Sequence, residues 1–133
     1  MHVPRQATAA REFARVLRPG GRVATSDITA LRADLPAALT STQAWVACIA
    51  DARPLDEIAS LLEDAGLIVE TTERHDDALV TMLDRIDARL KVARLLGGVF
   101  GARVISGQEL VAAAHEAVAD GVLGYCVVIA RKP

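Results

Sequence analysis

Few side chains in this sequence are placed to do chemistry, and Asp27 is the first. It stands near the end of Arg22-Val-Ala-Thr-Ser-Asp-Ile28, a run of small and β-branched residues that reads as a strand, and Thr29 follows where a loop is expected. In open α/β sheets ligands bind beyond the carboxyl ends of the strands, so an acid and a hydroxyl there would face a substrate. The same residues would also serve as caps of a following turn. Cys48 sits beside Trp45 and Ile49 in an amphipathic stretch, where its thiol would either touch a substrate or fill space as a small buried hydrophobe. Cys126 lies inside an apolar run and reads as structural. His75-Asp76-Asp77 has the residue types of a metal ligand set or a base. With no second histidine or cysteine at ligand spacing it reads as a solvated turn, and no metal is expected. His115 falls at the edge of its helix, and His2 is too close to the terminus to be given a role. Arg85, Arg89, Lys91 and Arg94 would attract an anion, but Asp84 and Asp87 interleave with them and Asp87–Lys91 is an i,i+4 pair, which describes a solvated face.

The elements that must position these groups can be read from periodicity and punctuation. Residues Pro4 to Leu17 are expected to be helical, with Pro4 in the first turn and Ala10, Phe13, Val16 and Leu17 on one face. Pro19-Gly20-Gly21 stops that helix, and Arg22 to Ile28 is the strand. Thr29 to Leu35 reads as loop. Pro36 to Asp51 is expected to be a helix that carries Leu39, Trp45, Val46 and Ile49 on its apolar side. Pro54 opens another, with Asp56 and Glu57 suited to its N-terminal dipole and Gly66 as its stop. Leu67 to Arg74 is a strand. Leu79, Met82, Leu83, Ile86, Leu90, Ala93 and Leu96 then hold helical period up to Gly97-Gly98. Ser106-Gly-Gln-Glu109 matches a capping box and is expected to start the next helix, closed by Gly121. Leu123 to Arg131 is a continuous apolar run, as in a buried central strand.

The 133 residues suit one domain over residues 1–133. Hydrophobic residues make up 52% and aromatics only 3%, which favours helices packed through small side chains over an aromatic-rich sandwich. A net charge of −2 with a pI near 5.9 argues against a nucleic-acid binder. Two cysteines without a signal peptide suit reduced thiols in the cytoplasm. The longest uncharged apolar candidate, Val122 to Ala130, is strand-sized and well short of the roughly 18 residues a membrane span needs.

The segment Glu12-Phe-Ala-Arg-Val-Leu-Arg-Pro-Gly-Gly-Arg-Val-Ala-Thr-Ser-Asp27 resembles the lead into the fifth strand of class I S-adenosylmethionine-dependent methyltransferases. Glu63-Asp-Ala-Gly-Leu67 resembles the turn into their sixth strand, and Tyr125-Cys-Val-Val-Ile-Ala-Arg-Lys132 their last strand. The resemblance covers most of the chain and is weakest from Asp77 to Asp120. It implies an α/β fold with a partial Rossmann-like sheet of three strands equivalent to strands 5, 7 and 6, with flanking helices and a helical insertion. Within that superfamily, Ser26-Asp27-Ile28 resembles the ubiquinone/menaquinone and arsenite methyltransferase-like group. Trp45-Val-Ala-Cys-Ile-Ala-Asp-Ala52 is similar to the region around a substrate-binding cysteine of the arsenite enzymes. Two departures weigh against that substrate: Ala50-Asp51-Ala52 stands where small residues, often Gly-Gly-Ala, are usual, and His2-Val3 where those enzymes have another cysteine. Soft metalloids need several thiolates.

The resemblance thus implies methyl transfer from S-adenosylmethionine to a small molecule, with Asp27, Thr29, Trp45 and Cys48 on the substrate side. It also implies that the family's glycine-rich cofactor loop is not in this stretch, because Gly97-Gly98 and Gly101 follow a helix and not a strand. The expectations that follow are no cofactor-binding residue here, little or no cofactor binding by the chain alone, and a homo-oligomer or a partner polypeptide that supplies the missing half. The strand Arg22–Ile28 would then present an unpaired edge, and the long helix Leu79–Leu96 or a second copy would fold over a bare sheet face. The competing expectation is a non-catalytic homologue that acts as an oligomeric or partner-binding module.

Overall fold

The computed structural model describes residues 5–40, 49, 51–97 and 101–133, with the backbone alone for 101–105. The elements are α1 (Arg5–Val16), β1 (Arg22–Ala30), 3-10 turns at Arg32–Asp34 and Ala37–Thr40, α2 (Leu55–Asp64), β2 (Ile68–Arg74), α3 (Asp76–Leu96), α4 (Gly101–Ala119) and β3 (Leu123–Arg131). Glycine supplies two of the turns. Gly66 (φ +89°) ends α2, where Leu67 N–H bonds Leu62 C=O at 3.1 Å, and Gly121 (φ +73°) ends α4, where Val122 N–H bonds Ala117 C=O at 2.9 Å. Both are six-to-one closures that need a left-handed residue.

The three strands form one sheet in the order β1–β3–β2, with β3 antiparallel to both neighbours. Its apolar run is therefore hydrogen-bonded on both edges and buried on alternate residues, as expected of a central strand. Cys126, Val128 and Ala130 point to one face and pack against Ala10, Ile58, Leu62 and Leu67 of the α1/α2 layer. Leu123 and Tyr125 point to the other, where α3 and α4 close over Ala30, Leu79, Leu83, Val111 and Ala114. The long helix does fold over the second face, but only over its carboxyl half. Towards the other end Ala24 and Ile68 remain exposed. At that end β2 carries an extra residue, Glu70, between Val69 and Thr71. Its carboxylate joins Arg22 (2.7 Å) and Arg131 (3.0 Å), a link across all three strands.

Three expectations are corrected. Thr29 and Ala30 are strand, not loop, because β1 stays in register with β3 as far as Ala30↔Leu123. Pro36 to Asp51 is not one helix: Leu39 N–H bonds Pro36 C=O at 2.9 Å, the i→i+3 pattern of the 3-10 turn Ala37–Thr40, and Ile49 and Asp51 lie outside any helix. The stretch of that segment holding Trp45 and Cys48 lies outside the described residues. Ser106-Gly-Gln-Glu109 does not start a helix, since α4 begins at Gly101 and runs through it. There the tertiary contact outweighs the capping motif, as Gly107 lies against Leu90 of α3. Past Ile28 the outer edge of β1 is covered. Arg53 makes a parallel bridge to Thr29, and its C=O accepts the Ala30 N–H at 3.0 Å. From Arg22 to Ile28 the outer edge has no strand partner among the described residues.

Leu62 is 3% exposed at the centre of the α1/α2 layer. Leu62→Ala is expected to cost about 3 kcal/mol. Urea unfolding should show a lower midpoint at unchanged slope.

Candidate functional site at the carboxyl edge of the sheet

β1 and β2 run parallel to each other on either side of β3, so both carboxyl ends lie on one edge of the sheet, beside the start of β3. A pocket of about 410 Å³ opens there. Thr29 and Thr72 line it from the strands, together with Arg74, the first turn of α2 at Pro54–Asp56, and Val122. Thr29 is 5% exposed, the one buried polar residue among those described.

The floor of this edge is built around Gly124. A Cβ at that position would stand 2.5 Å from Asp76 Oδ1, 2.7 Å from Arg74 Nη2 and 2.9 Å from Thr29 Oγ1. Three polar groups from three elements therefore converge where one side chain is missing. Asp76 Oδ1 accepts the Tyr125 N–H at 3.0 Å, which ties the first turn of α3 to β3, and Asp76 Oδ2 takes Arg74 Nη2 at 3.0 Å. An acid in the first turn also complements the helix dipole. His75 pairs with Glu73 at 2.9 Å, so the His-Asp-Asp cluster serves local pairing and helix initiation. His115 meets Asp84 at 3.2 Å, and Lys91 meets Asp87 at 2.6 Å as expected from their spacing.

Asp27 is not at the strand end. β1 continues to Ala30, so Asp27 lies inside it on the α1/α2 face, half-buried in a second pocket of about 370 Å³ with Gln6, Phe13, Thr25, Ile58 and Leu62. Its Oδ1 accepts the Ile28 N–H at 2.8 Å, and Gln6 Nε2 approaches Oδ2 at 3.5 Å. Burial pushes its carboxyl above the usual aspartate range; the Ile28 N–H pulls the other way and the nearby Asp51 charge adds to the rise. Thr29 and Asp27 thus share a face but enter different pockets. Trp45 and Cys48 lie outside the described residues. Cys126 is 0% exposed and, as expected, structural, with its thiol pushed up by burial.

Arg74 and Gly124 were not singled out from the sequence, and Asp76 was read only as part of a solvated His-Asp-Asp turn. A signal was present in Gly124, because a glycine inside an apolar strand marks a close approach. What the edge can do chemically is bind. Arg74, Thr29 and Thr72 offer hydrogen bonds to a polar group. The residues do not fit S-adenosylmethionine by the family's device: β1 runs into a 3-10 turn at Arg32–Asp34 and β2 into α3, neither through glycine. Among the described residues the positive-φ glycines, at 20, 66, 97 and 121, each follow a helix.

Two outcomes test this geometry. Gly124→Ala is expected to cost about 1–3 kcal/mol by overpacking, read by urea unfolding, because Asp76 and Thr29 are both anchored. Wild-type stability in that variant would mean that the cluster yields freely. For Asp27, a folded pKa above the unfolded one means that the native state binds the extra proton. Its contribution therefore favours folding at low pH and is lost as pH rises from about 4 upward. Asp27→Asn should remove that part of the pH dependence and leave stability at neutral pH equal or higher, measured by unfolding across pH.

No family model matches the chain. Methyltransferase GfsG of Streptomyces halstedii is 39% identical over 77 residues, which cover 55% of this chain and 27% of that protein. A sarcosine dimethylglycine methyltransferase structure from Galdieria sulphuraria superposes with a TM-score of 0.78 at 22% identity, over 99% of this chain and 49% of that one. Phosphoethanolamine N-methyltransferase 2 of Haemonchus contortus, in complex with phosphomonomethylethanolamine and S-adenosylhomocysteine, gives 0.73 at 17% identity, over 99% of this chain and 31% of that one. The chain thus spans about a quarter of the curated relative and half or less of these solved structures. Its similarity to S-adenosylmethionine-dependent methyltransferases extends over nearly all of its own length, and its fold is part of theirs, the three-stranded end of a Rossmann-like sheet with its flanking helices.

Proposed function

We propose that the chain forms the acceptor-facing half of an S-adenosylmethionine-dependent methyltransferase for a small molecule, and that a partner polypeptide supplies the cofactor-binding half. The observation that carries this reading is the outer edge of β1, without a strand partner among the described residues from Arg22 to Ile28. A strand edge of that length is a template for another strand. The methyltransferase relative supports the activity, and the amine-directed names of the two structures support a small acceptor. In this reading the partner holds the cofactor, Thr29 and Arg74 face the acceptor at the sheet edge, and Asp27 stands in the adjoining groove. The setting is cytoplasmic, with neither nucleic acid nor membrane as partner.

The lack of a strand-to-glycine turn among the described residues favours a second reading, a non-catalytic module that binds a partner through the same edge. One titration separates the two. Calorimetry with S-adenosylhomocysteine is expected to show no saturable binding by the chain alone. Saturable binding should follow addition of the cofactor-binding half of the Streptomyces halstedii relative. No binding in the mixture rejects the catalytic reading, and saturable binding by the chain alone rejects the need for a partner.

A further inference from the structure

On the face of the sheet opposite Asp27, a cavity of about 210 Å³ lies between α3, α4 and the carboxyl end of β1. Its lining is apolar throughout; Ile28, Leu83, Ala114 and Leu123 form its inner part, and Met82 and Ile86 stand at its mouth. The two helices touch closely at one part of its wall, where a Cβ on Gly107 would lie 3.3 Å from Leu90. Protein interiors hold few voids larger than a water molecule. An apolar cavity of about 150 Å³ is known to stay dry and take up benzene. Met82 and Ile86 are 43% and 38% exposed beside buried Leu79 and Leu83, so the apolar surface continues from the interior to solvent. Methionine there adapts to ligands of differing shape.

Leu123 pairs with Ala30 at the end of β1, so this cavity lies at the same end of the sheet as Thr29 and Arg74, on the opposite face. We propose that it is a binding subsite for a hydrocarbon group, and that the methyl acceptor is an amphipathic molecule. Its alkyl, isoprenoid or aromatic part enters between α3 and α4 while its polar part stays at the sheet edge. The assignment to an acceptor rests on the proposed function; the ligand class rests on the cavity itself.

The test is a titration of the 133-residue chain with 1-octanol, followed through the methyl resonances of Ile28 and Leu83 by NMR. Saturable shifts are expected, with 1,8-octanediol at the same concentration much weaker because both of its ends are polar. Ala114→Leu, which fills the interior, and Met82→Lys, which places charge at the exposed mouth, should each weaken octanol binding roughly tenfold. Either variant alone suffices if the other does not fold. Absence of saturable shifts, or octanol binding unchanged in the folded variants, overturns the proposal. Octanol binding is read without cofactor, so a failed S-adenosylhomocysteine titration would strike the proposed function and leave the ligand class standing.

Discussion

The rest of the structure depends on β3 lying between β1 and β2 and antiparallel to both. The last strand in sequence becomes the middle strand in space, which links it to β1 across about a hundred residues of chain and to β2 across about sixty. A central strand of this kind must be apolar on both faces, and Leu123–Arg131 is. It divides the core into an α1/α2 layer and an α3/α4 layer, and it brings the carboxyl ends of β1 and β2 to the same edge. The pockets described above exist because of that arrangement.

The edge itself is held by polar groups around an absent side chain. Gly124 leaves room for Thr29, Arg74 and Asp76, and the Asp76 carboxylate anchors the start of α3 to the backbone of β3. The register of the sheet, the initiation of the longest helix and the shape of the pocket are thereby coupled. Glu70 does a similar task at the opposite end, where a bulge turns its carboxylate towards two arginines. These exposed pairs add little stability each. Their contribution is to hold strand ends in one geometry.

The two faces of the site differ in character. On the α1/α2 side the groove is mixed, with a half-buried acid among apolar walls. On the α3/α4 side it is wholly apolar. An acceptor held at such an edge meets a polar surface on one side and a hydrocarbon surface on the other. The likeness to methyltransferase structures covers nearly all of this chain but half or less of theirs, so the chemistry of methyl transfer belongs to a larger assembly in the reading proposed here.

Local periodicity was enough to determine α1, α2, α3, β2 and β3 to within a residue or a few, because their apolar spacing and their glycine stops at Gly66, Gly97 and Gly121 agree. The order of the sheet was legible through family resemblance, not through any local pattern. Where the sequence misled, a tertiary contact had won. Ser106–Glu109 has the form of a helix start yet is helix interior, because α4 packs against α3 through Gly107. Thr29 has the form of a loop residue yet is strand, because pairing with β3 carries β1 on to Ala30. That extension moved Asp27 from the edge into the α1/α2 groove and left Thr29 at the edge with Arg74, a partner from the other parallel strand. The sequence by itself determined which segments are helix and strand, since those depend on neighbours a few residues away. Only the tertiary structure decided which polar groups meet, since that depends on where β3 inserts and how far its hydrogen-bond register runs.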